Sequence, residues 1–364
     1  MDLDKIFLAV LQMVGGLGGI QLAKLISYFG SAKAVWEASD EDVYLSKCVD
    51  YPVAERLCCS RKKQEPEQLA EEWRKKNIKL CSIEDEMYPA LLKQIFNPPM
   101  LLFYRGILYQ DAQNIAIVGA RKFSPYGRSV AEALGAELAA NGVTVISGAA
   151  RGIDTAAHTG ALRTGKTVAV LGCGIDVVYP SENRKLLEDI AKKGAVTSEY
   201  GPGTRRVAGF FAARNRIISG IASGTVVIEA AEKSGSLITA EMALSEGRDV
   251  FAVPGSIYSE QSKGCHKSIQ QGAKLVCKAA DVLEEYRWQE KKTVEISKKE
   301  LSSEEIAVYE VLSFEKPLPI DEIICKLRCT TTNIAFILLQ MELRGIVRED
   351  ASHCYVRVVK EGIL

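Results

Sequence analysis

The sequence lacks a net charge. Its 46 basic residues equal its 46 acidic residues, so bulk charge gives no reason to expect a nucleic-acid partner, and only a local basic cluster could indicate one. Histidine is also scarce: the chain has only His158, His266 and His353, and none lies in a metal-ligand or nucleophile motif. The sequence shows no catalytic constellation, and we expect neither a metal nor a cofactor.

The cysteines lack the pairing that a disulfide framework needs. The ten cysteines have irregular spacings and form no C-x-x-C pair, which is typical of buried thiols in a reducing compartment. The first residues, MDLDKIFLAVLQMVGG, contain acids in place of a basic region and only a short apolar run, so they resemble neither a signal peptide nor a membrane span. We expect a cytoplasmic protein without membrane association.

The chain is long enough for two or three domains of roughly 100 to 200 residues each. Short β-branched runs such as IAIVG, TVAVLG and TVVIEA alternate with amphipathic helical patterns. This alternation predicts an α/β fold, a doubly wound, Rossmann-like parallel sheet with helices on both faces. We assign residues 63–285 to this extended Rossmann-like domain, in which residues 63–112 form a proline-punctuated lead-in packed on the sheet.

Two further domains flank the predicted sheet. Residues 1–62 contain helical patterns around a glycine-rich hairpin and are similar to a SAM-like, helix-hairpin-helix domain. Residues 286–300 are charged and lack apolar periodicity, as in a solvated linker. Residues 301–364 contain three helical patterns followed by two short strands, which is the order of a winged helix-turn-helix domain.

The predicted winged helix has an unusual third helix. We expect Ser302, Asp321 and Thr330 to cap its three helices. The third helical segment, TTTNIAFILLQMELRG, is almost wholly apolar, whereas base readout in a major groove needs polar and basic side chains. We expect protein contact or weak DNA binding from this domain.

The turn after the strand IAIVG carries Arg121 and Lys122 where a dinucleotide-binding turn carries glycines. The second strand also ends without the acid that binds a ribose hydroxyl, so we do not expect NAD. Backbone N–H groups that open the next helix at Gly127 predict a phosphate site beside these cations. The alternative is a polar loop with exposed cations.

A second basic cluster occupies the segment between residues 199 and 229, which contains no acid. Phe210 and Phe211 lie within it, and arginine together with aromatic rings suits the phosphates and unstacked bases of a single strand. The alternative places Phe211 in the core. The cations of this cluster are Arg205, Arg206, Arg214 and Arg216.

Loops that follow parallel strands converge at one edge of the sheet, so we expect these clusters to meet in one crevice. A literal Walker A match, GALRTGKT, ends a helix and leads into a strand, which is the reverse of a P-loop, so we do not expect ATP binding. Its Lys166 is expected to face the same crevice. The expected lining is mixed: Arg121, Lys122, Arg151, Arg205 and Arg214, with Asp154, Asp176, Glu199 and Glu229.

Several segments resemble, in order, the bacterial DNA-processing protein A family, DprA or Smf. VGARKFSPYG is similar to the family turn G-[SA]-R-x-x-[ST]-x-Y-G, SGAARGID to S-G-x-A-x-G-I-D, and LGCGIDVVYP to L-G-x-G-[ILV]-D-x-x-Y-P. RNRIISGIASGTVVIEAAEKSGSLITAEMALSEGRDVFAVPGS resembles the longest family block. The resemblance implies a cytosolic, dimeric, non-enzymatic protein that binds single-stranded DNA, protects incoming DNA in natural transformation and helps to load the RecA recombinase.

The resemblance also implies which residues bind DNA. By motif these are Arg121, Arg214, Asn215 and Arg216, and our crevice argument adds Lys122, Lys166, Arg205 and Phe211. Three positions depart from the family pattern, which puts local loop geometry in question. Ala212 replaces a proline, His266 an asparagine and Ser268 a leucine.

Two alternatives to DNA binding remain. GTVVIEAAEKSGSLITAEMAL distantly resembles nucleotide-5′-monophosphate phosphoribohydrolases, with Glu229 as the candidate acid. No Pro-Gly pair precedes SGT and no paired Arg–Glu set is evident, so we rank this enzyme below a DNA-binding protein. An interaction scaffold without nucleic acid would leave the basic crevice idle.

Overall fold

The computed structural model describes residues 2–108, 113–288, 301–313, 317–327, 331–349 and 353–357. Its strands are β1 Lys79–Ser82, β2 Leu101–Gly106, β3 Asn114–Val118, β4 Thr144–Ser147, β5 Thr167–Leu171, β6 Ala195–Ser198, β7 Gly224–Val227, β8 Asp249–Ala252, β9 Lys274–Leu275, β10 Leu318–Pro319, β11 Val347–Glu349 and β12 Cys354–Arg357.

The helices of the first part of the chain are α1 Leu3–Gln12, α2 Gly19–Phe29, α3 Ala32–Glu37, α4 Asp40–Leu45, α5 Tyr51–Arg61, α6 Pro66–Lys75, α7 Ala90–Lys93, α8 Pro125–Ala140 and α9 Ile153–Thr164. The later helices are α10 Arg184–Lys193, α11 Ala208–Ile221, α12 Gly235–Ser245, α13 Lys263–Gln270, α14 Ala279–Glu285, α15 Ser303–Val311, α16 Ile320–Leu327 and α17 Thr331–Leu343.

A nine-stranded sheet forms the centre of the molecule, in the order β1-β2-β6-β5-β4-β3-β7-β8-β9. Strands β6 to β9 of this order are parallel, as the alternating apolar runs predicted. Adjacent side chains of β3 point to opposite faces: Ile115 and Ile117 pack with α8, α9 and α14, whereas Ala116 and Val118 pack with α11, α12 and α13. Both faces are buried, which confirms the doubly wound α/β fold.

The lead-in is part of the sheet itself. β1 pairs antiparallel with β2, and β2 pairs antiparallel with β6, opposite Thr197 and its neighbours. The sequence predicted that residues 63–112 pack on the sheet. They extend it instead, because the six-residue apolar run of β2 hydrogen-bonds to the free edge of β6.

The N-terminal helices share a core with this end of the sheet. Leu11 and Leu22 belong to the same buried cluster as Phe103 and Leu171. The side-chain amide of Gln12 donates to the carbonyls of Leu101, at 2.9 Å, and Glu199, at 2.7 Å. Residues 2–62 and the sheet therefore form one packed unit.

The last part of the chain forms the predicted winged helix. α15, α16 and α17 pack around a buried cluster, and β10, β12 and β11 form a three-stranded sheet. Ser302 caps α15, as predicted. Asp321 does not cap α16, because this helix begins at Ile320 and Asp321 lies in its first turn. Thr330 lies outside the described residues.

The third winged-helix element is apolar on two sides. α17 buries Leu338 and Met341, but leaves Phe336 and Leu343 exposed. The predicted inward packing therefore holds for one face only. Across the described residues we find no helix with the length and apolar character that crossing a bilayer requires.

Candidate nucleic-acid interface

The strand order reverses beside β3. The chain passes from β3 through β4 and β5 to β6, then returns through α11 to β7 on the other side of β3. The loops after β3 and β7 therefore leave in opposite directions and open a crevice at the carboxyl ends of the strands. A cavity of about 460 Å³, here called the strand cavity, lies in this crevice.

The structure brings five predicted residues to the strand cavity. Arg121 and Lys122 are exposed on the turn after β3 and make no ion pair with another described residue. The backbone holds this turn in place, because Ala120 donates to Glu229 and accepts from Ile153. The five residues are Arg121, Lys122, Phe211, Arg214 and Asn215.

Arg214 lies beneath the cavity rather than at its rim. Only 3% of its surface is exposed, and its Nη1 donates to the carbonyl of Val170 at 3.0 Å. Its Nε finds no hydrogen-bond partner among the described residues. An α-helical segment thus delivers a buried guanidinium to the floor of the crevice, where a charge needs a compensating group.

Asp154 supplies part of that compensation. Burial raises the pKa of Asp154, and the positive charge of Arg214 opposes this shift. The carboxylate also accepts from the backbone N–H of Ala150 at 3.2 Å. Asp154 lines the strand cavity, so the predicted acid at this position is present.

The other predicted acids are occupied elsewhere. Glu199 accepts from Arg216 at 2.6 Å, and Asp176 accepts from the N–H of Gly203 and from Lys76. Neither lines the strand cavity. The mixed lining expected from the sequence is therefore reduced to cations and Asp154, because these acids have partners within the protein.

Glu229 overturns the prediction of an open phosphate site at the start of α8. Its carboxylate accepts from the N–H of Ser124 at 2.9 Å and from the Ser124 hydroxyl. A Cβ on Gly127 would stand 2.3 Å from this carboxylate. The helix N-terminus favours an anion, but the protein itself supplies that anion, and burial raises the pKa of Glu229.

Three predicted DNA-binding residues lie away from the strand cavity. Arg216 is half-buried in its ion pair with Glu199, and exposed Arg205 is not part of the cavity lining. Lys166 immediately precedes β5, so it lies at the amino edge of the sheet, opposite the crevice. The expectation that Lys166 faces the crevice is wrong, because the residue before a parallel strand and the residues after it lie at opposite edges.

Phe211 separates the strand cavity from a smaller one. Its ring is half-buried and packs 5.4 Å from the ring of Tyr179, so the alternative of a fully buried core position does not apply. The guanidinium of Arg206 lies 4.8 Å from the centroid of Tyr179. Aromatic and cationic groups therefore alternate along the rim.

The sequence did not identify some lining residues individually. Ser236, Ile238 and Thr239 of α12 line the strand cavity. The segment EAAEKSGSLITA was expected at the crevice, but the face that α12 turns inward depends on its packing against β7 and β8. A search for the helix face opposite its buried alanines, Ala240 and Ala243, could have found them.

The positions that depart from the family pattern lie in regular helices. Ala212 is the fifth residue of α11, where a proline would remove a helical hydrogen bond. In α13, His266 Nε2 lies 3.0 Å from the carbonyl of Gly255, and the hydroxyl of Ser268 donates to Gly264. Within the described residues, no group of three His, Cys, Asp or Glu side chains could hold a metal ion.

Comparisons with known proteins agree with this architecture. The family DNA recombination-mediator protein A matches residues 79–287, and the DprA winged helix domain matches residues 295–351. DNA processing protein DprA of Streptococcus pneumoniae is 49% identical over 209 residues, which are 57% of this chain and 74% of that protein. Protein Smf of Synechocystis is 37% identical over 269 residues, 72% of this chain and 68% of that protein.

Two solved structures are similar to this one. The X-ray structure of DNA processing protein A from Streptococcus pneumoniae has a TM-score of 0.67 and 40% identity, and covers 78% of this chain and 98% of that chain. DNA processing protein A from Helicobacter pylori, described for its single-stranded DNA binding mode, has a TM-score of 0.51 and 27% identity. It covers 57% of this chain and 96% of that chain.

Proposed function

The chain belongs to the DNA recombination-mediator protein A family, and we propose that it binds single-stranded DNA in the crevice at the carboxyl edge of its sheet. In this role it protects incoming strands and helps to load the RecA recombinase, in natural transformation or another homologous recombination task. The described Helicobacter pylori relative, which binds single-stranded DNA, supports the choice of ligand.

One observation carries the proposal: exposed cations and an aromatic ring meet in a cavity of suitable size. Arg121 and Lys122 have no ion-pair partner among the described residues, and half-buried Phe211 lies across the cavity from them. Its volume of about 460 Å³ is within the range of small-ligand sites, about 300–1,000 Å³. A single strand presents phosphates to such cations and an unstacked base to such a ring.

We propose a binding protein rather than an enzyme. Glu229, the candidate acid of the hydrolase alternative, has both carboxylate oxygens engaged by Ser124 and does not line the strand cavity. We further propose that the protein acts as a cytoplasmic homodimer with RecA as its protein partner. Membership of the family supports these two assignments.

The test is fluorescence anisotropy with a labelled dT oligonucleotide and an unlabelled duplex as competitor. The informative variant is Arg121→Ala/Lys122→Ala, because both side chains are exposed and their removal leaves the core intact. Arg74→Ala, an exposed cation of α6, is the matched control. We expect single-strand preference that the double variant loses and the control keeps. No binding at low salt would contradict the proposal and direct attention to nucleoside-monophosphate hydrolysis.

A further inference from the structure

A second cavity lies on the other side of Phe211 from the strand cavity. This second cavity, here called the arginine cavity, has a volume of about 60 Å³. Phe211, Arg121 and Arg214 line both cavities, whereas Arg151 and Tyr179 line only the arginine cavity. The two cavities are therefore adjacent compartments of one crevice.

The charges of the two compartments differ. Three arginines and no carboxylate line the arginine cavity, while Asp154 lines the strand cavity. Arginine forks bind phosphate oxygens through paired hydrogen bonds. The composition of the arginine cavity therefore favours an anion more strongly than that of its neighbour.

The sizes of the two compartments differ as well. The space in the arginine cavity holds about four to six waters, at roughly 10–15 Å³ of probe space for each. A phosphoryl group needs a comparable space, whereas a nucleobase or a nucleoside needs much more. The strand cavity is large enough for the nucleoside.

One buried donor points to an absent partner. Arg214 is 3% exposed, and its Nε makes no hydrogen bond to a described residue. An unsatisfied buried donor is unfavourable, and more so when the group is charged. An anion in the compartment that Arg214 lines would give this group an acceptor or a compensating charge.

The remaining arginine is able to exchange its partner. Arg151 pairs with Glu182, but both side chains are largely exposed. Exposed ion pairs of this kind contribute little stability. Arg151 can therefore leave Glu182 for a phosphate without a large loss.

We propose that the arginine cavity is a phosphate subsite, which holds the phosphoryl group of the nucleotide whose base lies in the strand cavity. Phe211 lies between them and offers its ring to the base. The inference rests on the proposed function and adds to it a grip on one nucleotide at a time. The phosphoryl group is either an internal phosphodiester or the terminal phosphate of a strand.

The test is competition against a labelled dT oligonucleotide on the full-length protein, with thymidine, thymidine 5′-monophosphate and the dinucleotide TpT as competitors. For the wild type we expect at least one of the two phosphate-bearing competitors to bind at least tenfold more tightly than thymidine. In Arg151→Gln this ratio falls towards one. Arg74→Gln, which removes a charge far from both cavities, keeps it.

The outcomes separate this inference from the proposed function. Oligonucleotide binding with an unchanged ratio in Arg151→Gln overturns the phosphate subsite and leaves strand binding intact. Absence of oligonucleotide binding overturns both. Tighter binding of TpT than of the monophosphate assigns the subsite to an internal phosphodiester, and the reverse order assigns it to a strand end.

Discussion

The guanidinium of Arg214 occupies the space that a side chain at Gly148 would need: an ideal Cβ at Gly148 would stand 1.7 Å from Nη1 of Arg214. Gly148 follows β4, and Arg214 belongs to α11, so a strand end and a helix approach each other through a glycine. The position of the arginine beneath the crevice depends on this missing side chain.

Gly148→Ala is expected to displace Arg214 and to lower the free energy of unfolding by about 1–3 kcal/mol, the usual range for overpacking. Urea unfolding measures the change. Gly209→Ala is the matched control, because no atom lies within 4 Å of a Cβ at Gly209. Equal stability of the two variants would contradict the packing described here.

Arg214 and Asp154 are expected to be energetically coupled. Arg214→Met leaves Asp154 buried without its nearby positive charge, which costs about 3 kcal/mol, at the lower end for a broken buried charge pair. Asp154→Asn in the same chain removes the uncompensated charge, so the double variant is expected to be more stable than the sum of the single losses predicts. Additive losses in urea unfolding would rule out the coupling.

Arg121 and Lys122 are expected to control the salt dependence of strand binding. Each phosphate contact on a single strand contributes a slope of about −0.7 in log affinity against log salt. Arg121→Ala and Lys122→Ala should each make the slope shallower by about 0.7. Arg216→Ala, which breaks the ion pair with Glu199, should lower stability and leave the slope unchanged. Anisotropy titrations over a salt series measure the slopes, and an unaltered slope in Arg121→Ala would contradict the assignment.

His158 is expected to make folding sensitive to mild acid. Burial lowers its pKa from 6.5 to about 3, and the charge of Arg214 adds to this effect. Between these values the unfolded chain binds a proton that the folded chain does not, so the free energy of unfolding falls as the pH falls through this window, by up to about 1.4 kcal/mol per pH unit. The contribution is fully present above pH 6.5.

Urea unfolding at pH 7 and pH 5 tests the role of His158, because carboxylates with lowered pKa values titrate below this range. The Thr167 hydroxyl donates to Val145, so it accepts from His158 Nδ1 at 2.6 Å, and the imidazole is neutral. His158→Gln should lose less stability than the wild type between these pH values. An equal loss in both proteins would assign the effect to other groups.

Arg348 is expected to hold the winged helix against α8. Its Nη2 donates to the buried carboxylate of Glu132 at 3.0 Å, which also accepts from Arg128 and Arg163. Arg348→Gln removes the contact that comes from the winged helix. Arg163→Gln removes a contact that comes from α9 and is the control. Small-angle X-ray scattering should show a larger radius of gyration for Arg348→Gln alone, and equal radii would contradict this contact.

Local patterns in the sequence predicted most of the sheet. IAIVG, TVAVLG and TVVIEA became β3, β5 and β7, because a strand buried on both faces needs a continuous apolar run. The turn with Arg121 and Lys122 was found from the same pattern, since loops after parallel strands meet at one edge. The Walker A match was correctly set aside, because it spans the end of α9 and the start of β5.

The sequence by itself determined the family, the α/β fold and the edge of the sheet where the candidate site lies, because these follow from the order of short segments along the chain. Only the tertiary structure decided which cations are available to a ligand. Arg214 is buried, Arg216 pairs with Glu199, and Glu229 fills the N-terminus of α8. Burial and partners depend on groups distant in sequence, and no local pattern records which of them meet.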